Sequence, residues 1–190
     1  MGKGLHGSMD ERGIVGDCLA GRAGAYQRLA EAYGSLVMSV ALNVLGNRED
    51  AEDVFQETFI QVFRNLGRYD PERSFKTWLL TIVYRRSLDM IKKKRRFSNF
   101  TARAGHEPMV VARNPGPDRD GRGPLPSRLL EKLSPKERTA LCLWANEGYT
   151  ARDISGVLGC TAGTARVLLF NARRKIKALM ENDHGLLQNC

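Results

Sequence analysis

From Tyr26 to Val44 apolar residues return every three or four positions, at Tyr26, Leu29, Ala30, Tyr33, Leu36, Val37, Val40, Ala41 and Val44, and the pattern stops at Gly46. That period predicts an amphipathic helix with one buried face, and a glycine just past the last apolar position is a common helix stop. A second stripe runs through Val54, Phe55, Thr58, Phe59, Val62, Phe63 and Leu66. Asn47 is its expected N-cap, and Glu49, Asp50, Glu52 and Asp53 fill the first turns, where the positive end of the helix dipole favours acids. Asp70-Pro71 then interrupts, because the residue before a proline is pushed out of the helical region. Phe75, Trp78, Leu79, Ile82 and Val83 predict a third long helix over 74–96. Upstream of all three, Ser8-Met9-Asp10-Glu11 fits a capping box that would open a short helix.

Over 97–127 the periodicity is lost, and Asn114-Pro115-Gly116-Pro117 with Asp120-Gly121-Arg122-Gly123-Pro124 has the composition of a linker. Stretched, those residues would reach about 100 Å, whereas a flexible coil of that length averages only about 30 Å. A short helix is expected near Arg128 to Lys132. Ser134-Pro135-Lys136-Glu137 then combines an N-cap, a proline at the first helical position and a capping-box acid. The helix it opens runs through Ala140, Leu141, Leu143 and Trp144 to Gly148. Thr150-Ala151-Arg152-Asp153 opens another, with Ile154, Val157 and Leu158 inward and Gly159 as its stop. A long basic helix follows from about Ala162 to Glu181. No segment alternates with a period of two, so the fold class is all-α: two small helical domains joined by a flexible linker, the second a helix-turn-helix. The boundaries fall at 1–96, 97–127 and 128–182, with a tail over 183–190.

Composition sharpens this picture through the placement of charge. The 190 residues carry 30 Lys and Arg against 21 Asp and Glu, a net charge of +9. Residues 1–75 hold 8 basic and 11 acidic side chains, whereas 76–96 hold 8 basic and one acidic, and 128–190 hold 10 and 6. An acidic front and two basic blocks suggest two kinds of partner, one of them nucleic acid. For any single run such as Lys92 to Arg96, a plain solvated helix face is the competing reading. No run of apolar residues is long enough to span a bilayer, and the N-terminus lacks the apolar centre of a signal peptide, so no direct membrane insertion and a cytoplasmic location are expected. Cys18, Cys142, Cys160 and Cys190 are scattered, with neither a CxxC pair nor a nearby His pair, and read as reduced thiols rather than metal ligands. His6, His106 and His184 are isolated, and no Ser, Cys or Asp constellation has catalytic spacing, so neither an enzyme nor a cofactor is expected.

Two helices joined by a tight turn at Gly159, the second one basic, fit a helix-turn-helix, whose second helix reads base edges in the major groove. The residues around it carry a resemblance. Leu133-Ser134-Pro135-Lys136-Glu137-Arg138, Glu147-Gly148-Tyr149-Thr150-Ala151-Arg152-Asp153-Ile154, Leu158-Gly159 and Gly163-Thr164-Ala165-Arg166 resemble region 4 of the sigma-70 family of bacterial transcription initiation factors. Asn47 to Phe59, with the run Asp50-Ala51-Glu52-Asp53-Val54-Phe55-Gln56-Glu57-Thr58-Phe59, resembles region 2.2. Phe75-Lys76-Thr77-Trp78-Leu79 running into Ile91-Lys92-Lys93-Lys94-Arg95-Arg96 is similar to regions 2.3 and 2.4. Both blocks in this order, with only a linker between them, resemble the compact extracytoplasmic-function (ECF) group.

The resemblance implies a factor that joins core RNA polymerase, directs it to promoters through the -10 and -35 elements and supports melting. It implies that Asp50, Glu52, Asp53, Gln56 and Glu57 face the clamp helices of the polymerase β′ subunit, although first-turn acids also serve their own helix dipole. It implies that Tyr69, Ser74, Lys76, Leu80, Arg85 and Arg86 capture unstacked bases of the -10 element, with Lys92, Lys93, Lys94, Arg95 and Arg96 on phosphates. Phe75 and Trp78, at i and i+3 beside Leu79 and Ile82, are expected in the core. For the -35 duplex it implies Thr161, Thr164, Arg166, Val167, Phe170, Asn171, Arg173 and Arg174. Here Val167, Leu168 and Asn171 stand where the family usually has polar or basic residues. Asn suits adenine and Val a thymine methyl, which predicts a divergent -35 preference with fewer phosphate contacts, unless Val167 and Leu168 simply thicken the core or meet a partner. The further partners implied are the polymerase β flap and a cognate anti-sigma factor. The rival reading is a dimeric helix-turn-helix regulator that binds DNA without polymerase.

Overall fold

All regular structure in the computed structural model, which describes residues 11–103 and 132–187, is helical. The capping box at Ser8, the helix expected from Arg128, most of the expected linker and the end of the tail lie outside the described residues. Four helices form the front unit: α1 (Glu11–Leu19), α2 (Ala25–Leu45), α3 (Arg48–Asn65) and α4 (Phe75–Arg103), with a single 3-10 turn at Leu66–Arg68. Three form the second: α5 (Pro135–Glu147), α6 (Ala151–Leu158) and α7 (Ala162–Leu187).

Local chemistry sets most of the boundaries. Gly46 ends α2 at φ 77°, a left-handed conformation that glycine adopts without steric cost, and its N–H bonds the Leu42 carbonyl. Asn47 caps α3 by accepting from the Asp50 N–H. Ser134 with Glu137, and Thr150 with Asp153, form complete capping boxes on α5 and α6. The Thr150 hydrogen bonds hold the Asp153 carboxyl below its ordinary pKa. Two boundaries depart from expectation: α7 continues six residues past Glu181, to Leu187, into the expected tail, and α4 continues seven residues past Arg96, to Arg103. The run Phe97-Ser98-Asn99-Phe100-Thr101-Ala102-Arg103 contains neither glycine nor proline, so nothing local stops the helix there.

The core of the front unit is built from Leu29, Val37, Val40 and Val44 of α2, Val54 and Val62 of α3, and Phe75, Leu79, Leu80 and Val83 of α4, all essentially without solvent exposure. Each such side chain contributes about 1.5–3 kcal/mol by leaving water. The buried cluster does not end at the front unit. It continues into Ala140 and Leu143 of α5, Ile154 and Val157 of α6 and Ala165 of α7. The two units therefore pack directly on each other, α5 against α2 and α6 against α4. Arg138 is buried at this seam, its Nε donating to the Leu133 carbonyl at 2.9 Å and its Nη1 to the Val44 carbonyl at 3.2 Å. A cation suits that place, because the last carbonyls of α2 lack helical partners and carry the negative end of its dipole.

Candidate protein and nucleic-acid interfaces

Capping at the start of α3 turns one acid inward and leaves the others outside. Asp50 receives the Asn47 amide at 2.7 Å and the Lys94 ammonium at 2.5 Å, and only 5% of its surface is exposed. It is thereby withdrawn from the protein-facing surface the sequence assigned to it: its carboxylate joins α3 to α4. Glu52, Asp53, Gln56 and Glu57 are exposed. Arg48 pairs with Glu52 at 2.7 Å, and Arg86 approaches Glu57 at 3.7 Å. Ile60 lies one turn beyond Gln56 and is 49% exposed, an apolar addition to this polar face. The only signal for it in the sequence is its position off the buried stripe of Phe55, Thr58, Phe59 and Val62.

The loop before α4 and the helix itself gather the residues assigned to single-stranded DNA. Tyr69 is half-buried, with its ring 5.4 Å from both Phe75 and Trp78 and its hydroxyl donating to the Arg73 carbonyl. Burial pushes its phenol above the ordinary pKa. Phe75 is fully buried and Trp78 half-buried. Ser74 is exposed and caps α4, accepting from the Thr77 N–H at 3.2 Å. A second acceptor comes from α1, where Glu11 takes the Lys76 N–H at 2.8 Å. The Lys76 ammonium is bound across the seam by Glu147 at 2.8 Å, with the Tyr149 ring centroid 5.4 Å away.

Leu80 corrects the sequence reading. It has no exposed surface, because α4 is packed by α2, α3 and α6, and its buried arc is wider than one apolar stripe. A base cannot reach it in this arrangement. Arg85 is exposed, whereas Arg86 is half-buried and donates to Gln61 at 2.6 Å. Lys92, Lys93, Arg95 and Arg96 are exposed along the far end of α4, with Lys92 3.6 Å from Asp89. Lys94 is turned toward Asp50.

In the second unit, Gly159 at φ 63° ends α6 and turns the chain into α7. Thr161 caps α7, its Oγ1 accepting from the Thr164 N–H at 3.1 Å and lying 2.9 Å from the Thr164 hydroxyl. Ala165 and Ala172 are buried, and Leu168 and Leu169 pack against the core, so the opposite face is left outside. It presents Thr161, Thr164, Arg166, Val167, Phe170, Arg173 and Arg174, with Asn171 half-buried at its edge. Val167 is 58% and Phe170 64% exposed, so Val167 does not thicken the core, whereas Leu168 does. Trp144, expected within the apolar stripe of α5, stands at its rim, and the Arg173 guanidinium lies 3.6 Å from its ring centroid. Under this face Lys175 reaches both oxygens of the buried Glu137 at 2.8 Å, tying α7 to α5. Burial alone would raise the Glu137 pKa, but hydrogen bonds from Lys175 and Ser134 outweigh it and hold the carboxyl below its ordinary value.

Comparison with known proteins agrees with both halves. The family description sigma-70 region 2 matches residues 29–97, and sigma-70 region 4 matches residues 127–176. The RNA polymerase sigma-H factor of Pseudomonas aeruginosa is 30% identical over 166 residues, covering 82% of this chain and 86% of that protein. The ECF RNA polymerase sigma factor SigE of Mycolicibacterium smegmatis is 32% identical over 157 residues, covering 80% of this chain and 60% of that protein. Among solved structures, the sigma factor RpoE of Bartonella quintana, in complex with the anti-sigma factor NepR, superimposes with a TM-score of 0.71 at 19% identity, covering 84% of this chain and 98% of that one. With an all-helical front unit matching region 2 and a helix-turn-helix matching region 4, the chain belongs to the sigma-70 family, in its ECF group, whose members are non-enzymatic RNA polymerase sigma factors that direct promoter-specific transcription.

Proposed function

We propose that this sigma factor divides its work among three surfaces. The exposed face of α3, with Glu52, Asp53, Gln56 and Glu57 around Ile60, docks on the β′ clamp helices of core polymerase. The loop from Tyr69 and the start of α4, with Ser74, Lys76, Arg85 and Arg86, hold the unpaired -10 strand, and Lys92, Lys93, Arg95 and Arg96 neutralise its backbone. The open face of α7 enters the major groove of the -35 element. The reading rests on one observation: the exposed acids of α3 and the exposed cations of α4 lie on different helices within the residues matched to region 2, and the exposed cations of α7 lie within those matched to region 4. Salt-dependent phosphate binding needs the cations exposed and grouped, and a basic protein partner needs the acids.

On α7 the side chains favour bases over backbone. Val167 and Phe170 offer apolar surface to thymine methyls, and Asn171 offers a paired donor and acceptor to adenine. Arg166, Arg173 and Arg174 remain for phosphates and guanine. The -35 preference is therefore divergent. Run-off transcription from promoters selected with the natural chain, compared with an Asn171→Arg variant, tests this; identical use of the same -35 sequences by both would refute it.

The chain works where core polymerase works, in the cytoplasm, and contacts the β flap through its second unit. An anti-sigma factor that covers one or both units is the regulator this architecture suits. The solved relative bound to NepR supports that reading, and co-purification of such a protein from cells tests it.

A further inference from the structure

α4 outlasts the core that it packs on. Among the described residues, Ile91 is the last apolar side chain of α4 against that core, yet the helix runs on to Arg103. Phe97 and Phe100 fall on this overhanging part and are 58% and 70% exposed. Phe100 stands four residues after Arg96 and seven after Lys93, so the three share one face of the helix. Lys92, Lys93, Arg95 and Arg96 are all exposed, and Asp89 is the only acid over 89–100. Beside them an open hollow of about 610 Å³ is lined by Asp89, Lys92, Arg95, Arg96 and Asn99. The residues matched to region 2 end at 97 and those matched to region 4 begin at 127, so Phe100 belongs to neither.

We propose that the end of α4 is a further DNA-binding surface, for the spacer duplex between the -10 and -35 elements, with the Phe100 ring in the minor groove and Lys93 and Arg96 on the flanking phosphates. The proposal rests on the -10 reading given above. At 1.5 Å per residue, Phe100 stands about 36 Å along the helix from Lys76, about one full turn of DNA. Over that distance the unpaired strand held at the start of α4 is left behind, and the ring meets paired DNA. The chain leaves this end of α4 for the unit that reads the -35 element, which places the spacer on this side. Cations alone would serve phosphates. An exposed ring among them adds the apolar wedge that minor-groove proteins press against base steps, where groove walls cover surface that water disfavours. A second copy of this chain fits the face poorly, because the same cations would then oppose each other.

Photocross-linking in the complete complex tests this. The full chain, carrying p-benzoylphenylalanine in place of Phe100, is assembled with core polymerase on promoter fragments selected by the natural chain, and irradiated. Cross-links to spacer DNA, mapped by primer extension, are expected. Cross-links only to a polymerase subunit or to a second copy of the chain, or none at all, would overturn the proposal. The same probe in place of Tyr69 reports on the -10 strand separately. A -10 cross-link from position 69 without a spacer cross-link from position 100 sinks this proposal alone, and loss of both sinks the -10 reading with it. A spacer cross-link without a -10 cross-link sinks the -10 reading and leaves the spacer contact standing. As a second measurement, Phe100→Ala should leave the melting temperature unchanged and weaken promoter complexes about threefold or more with the same salt slope, whereas Arg96→Ala should lower that slope by about one. Unchanged affinity of the Phe100→Ala chain would also overturn the proposal.

Discussion

The guanidinium of Arg173, on α7, lies 3.6 Å from the ring centroid of Trp144, on α5. At that distance the cation stacks on the indole face, which leaves the edge of the guanidinium and its N–H fork to a phosphate or a guanine. Trp144 is 42% exposed and so is not required by the core. It positions the arginine. Trp144→Ala is expected to weaken binding of a -35 duplex about threefold to tenfold, from a cation–π interaction of about 0.5–1 kcal/mol and the loss of a fixed geometry. Trp144→Phe should recover most of the loss. Fluorescence anisotropy at two salt concentrations checks this, and Arg173→Ala should lower the salt slope by about one.

Asp50 and Asp53 have opposite fates although both lie in the first two turns of α3. Asp50→Ala removes a helix cap contact and leaves Lys94 without its partner, and should cost about 1–3 kcal/mol in urea unfolding. Asp53→Ala with Gln56→Ala should change stability by less than about 0.5 kcal/mol per site. The same double variant should nevertheless weaken capture by immobilised core polymerase. Unchanged capture would remove α3 from the polymerase interface.

Leu80 and Tyr69 separate packing from recognition within one assigned site. Leu80→Ala opens a cavity in the centre of the front unit and should cost about 2–5 kcal/mol. Any effect of that variant on promoter opening should follow the fraction of folded protein. Tyr69→Phe removes only a hydroxyl bonded to the Arg73 carbonyl and should leave the melting temperature nearly unchanged. Permanganate footprinting of the opened strand, compared with thermal melting, distinguishes the two.

Glu137 gives the stability a dependence on acid. Its pKa in the folded chain lies below its ordinary value of 4.5, so the unfolded chain takes up this proton first as the pH falls. The stabilisation is complete above the ordinary value and is lost progressively as the pH drops through the lower, folded value. Glu137→Gln should therefore flatten the stability profile below about pH 5 and lower stability at neutral pH by about 1–2 kcal/mol. Urea unfolding at a series of pH values measures both.

What the sequence discloses depends on how far apart the interacting residues stand. Caps at Asn47, Ser134-Pro135-Glu137 and Thr150-Asp153 involve neighbours three positions apart, and their chemistry is visible in a line of letters. The exposed basic face of α7 follows from its period. Asp50 looks like one more first-turn acid, because its partner Lys94 is brought to it only by the packing of α3 on α4. Leu80 looks available because one stripe already supplies a core, and nothing local says that α4 is covered from three sides. Trp144 looks buried because it is apolar, yet Ala140, Leu141, Cys142 and Leu143 already fill the inward arc of α5. The Lys76–Glu147 pair joins two ordinary surface residues across the units and leaves no trace in either segment.

In vitro transcription with the purified chain, core RNA polymerase and fragmented genomic DNA bears most directly on the whole account. Promoter-specific RNA is expected from those components alone, initiated at sites that share one -10 and one -35 sequence, and lost when the α3 face or the exposed cations of α7 are replaced. Specific binding of the free chain to duplex DNA as a dimer, with no promoter-specific RNA when core polymerase is added, would contradict it.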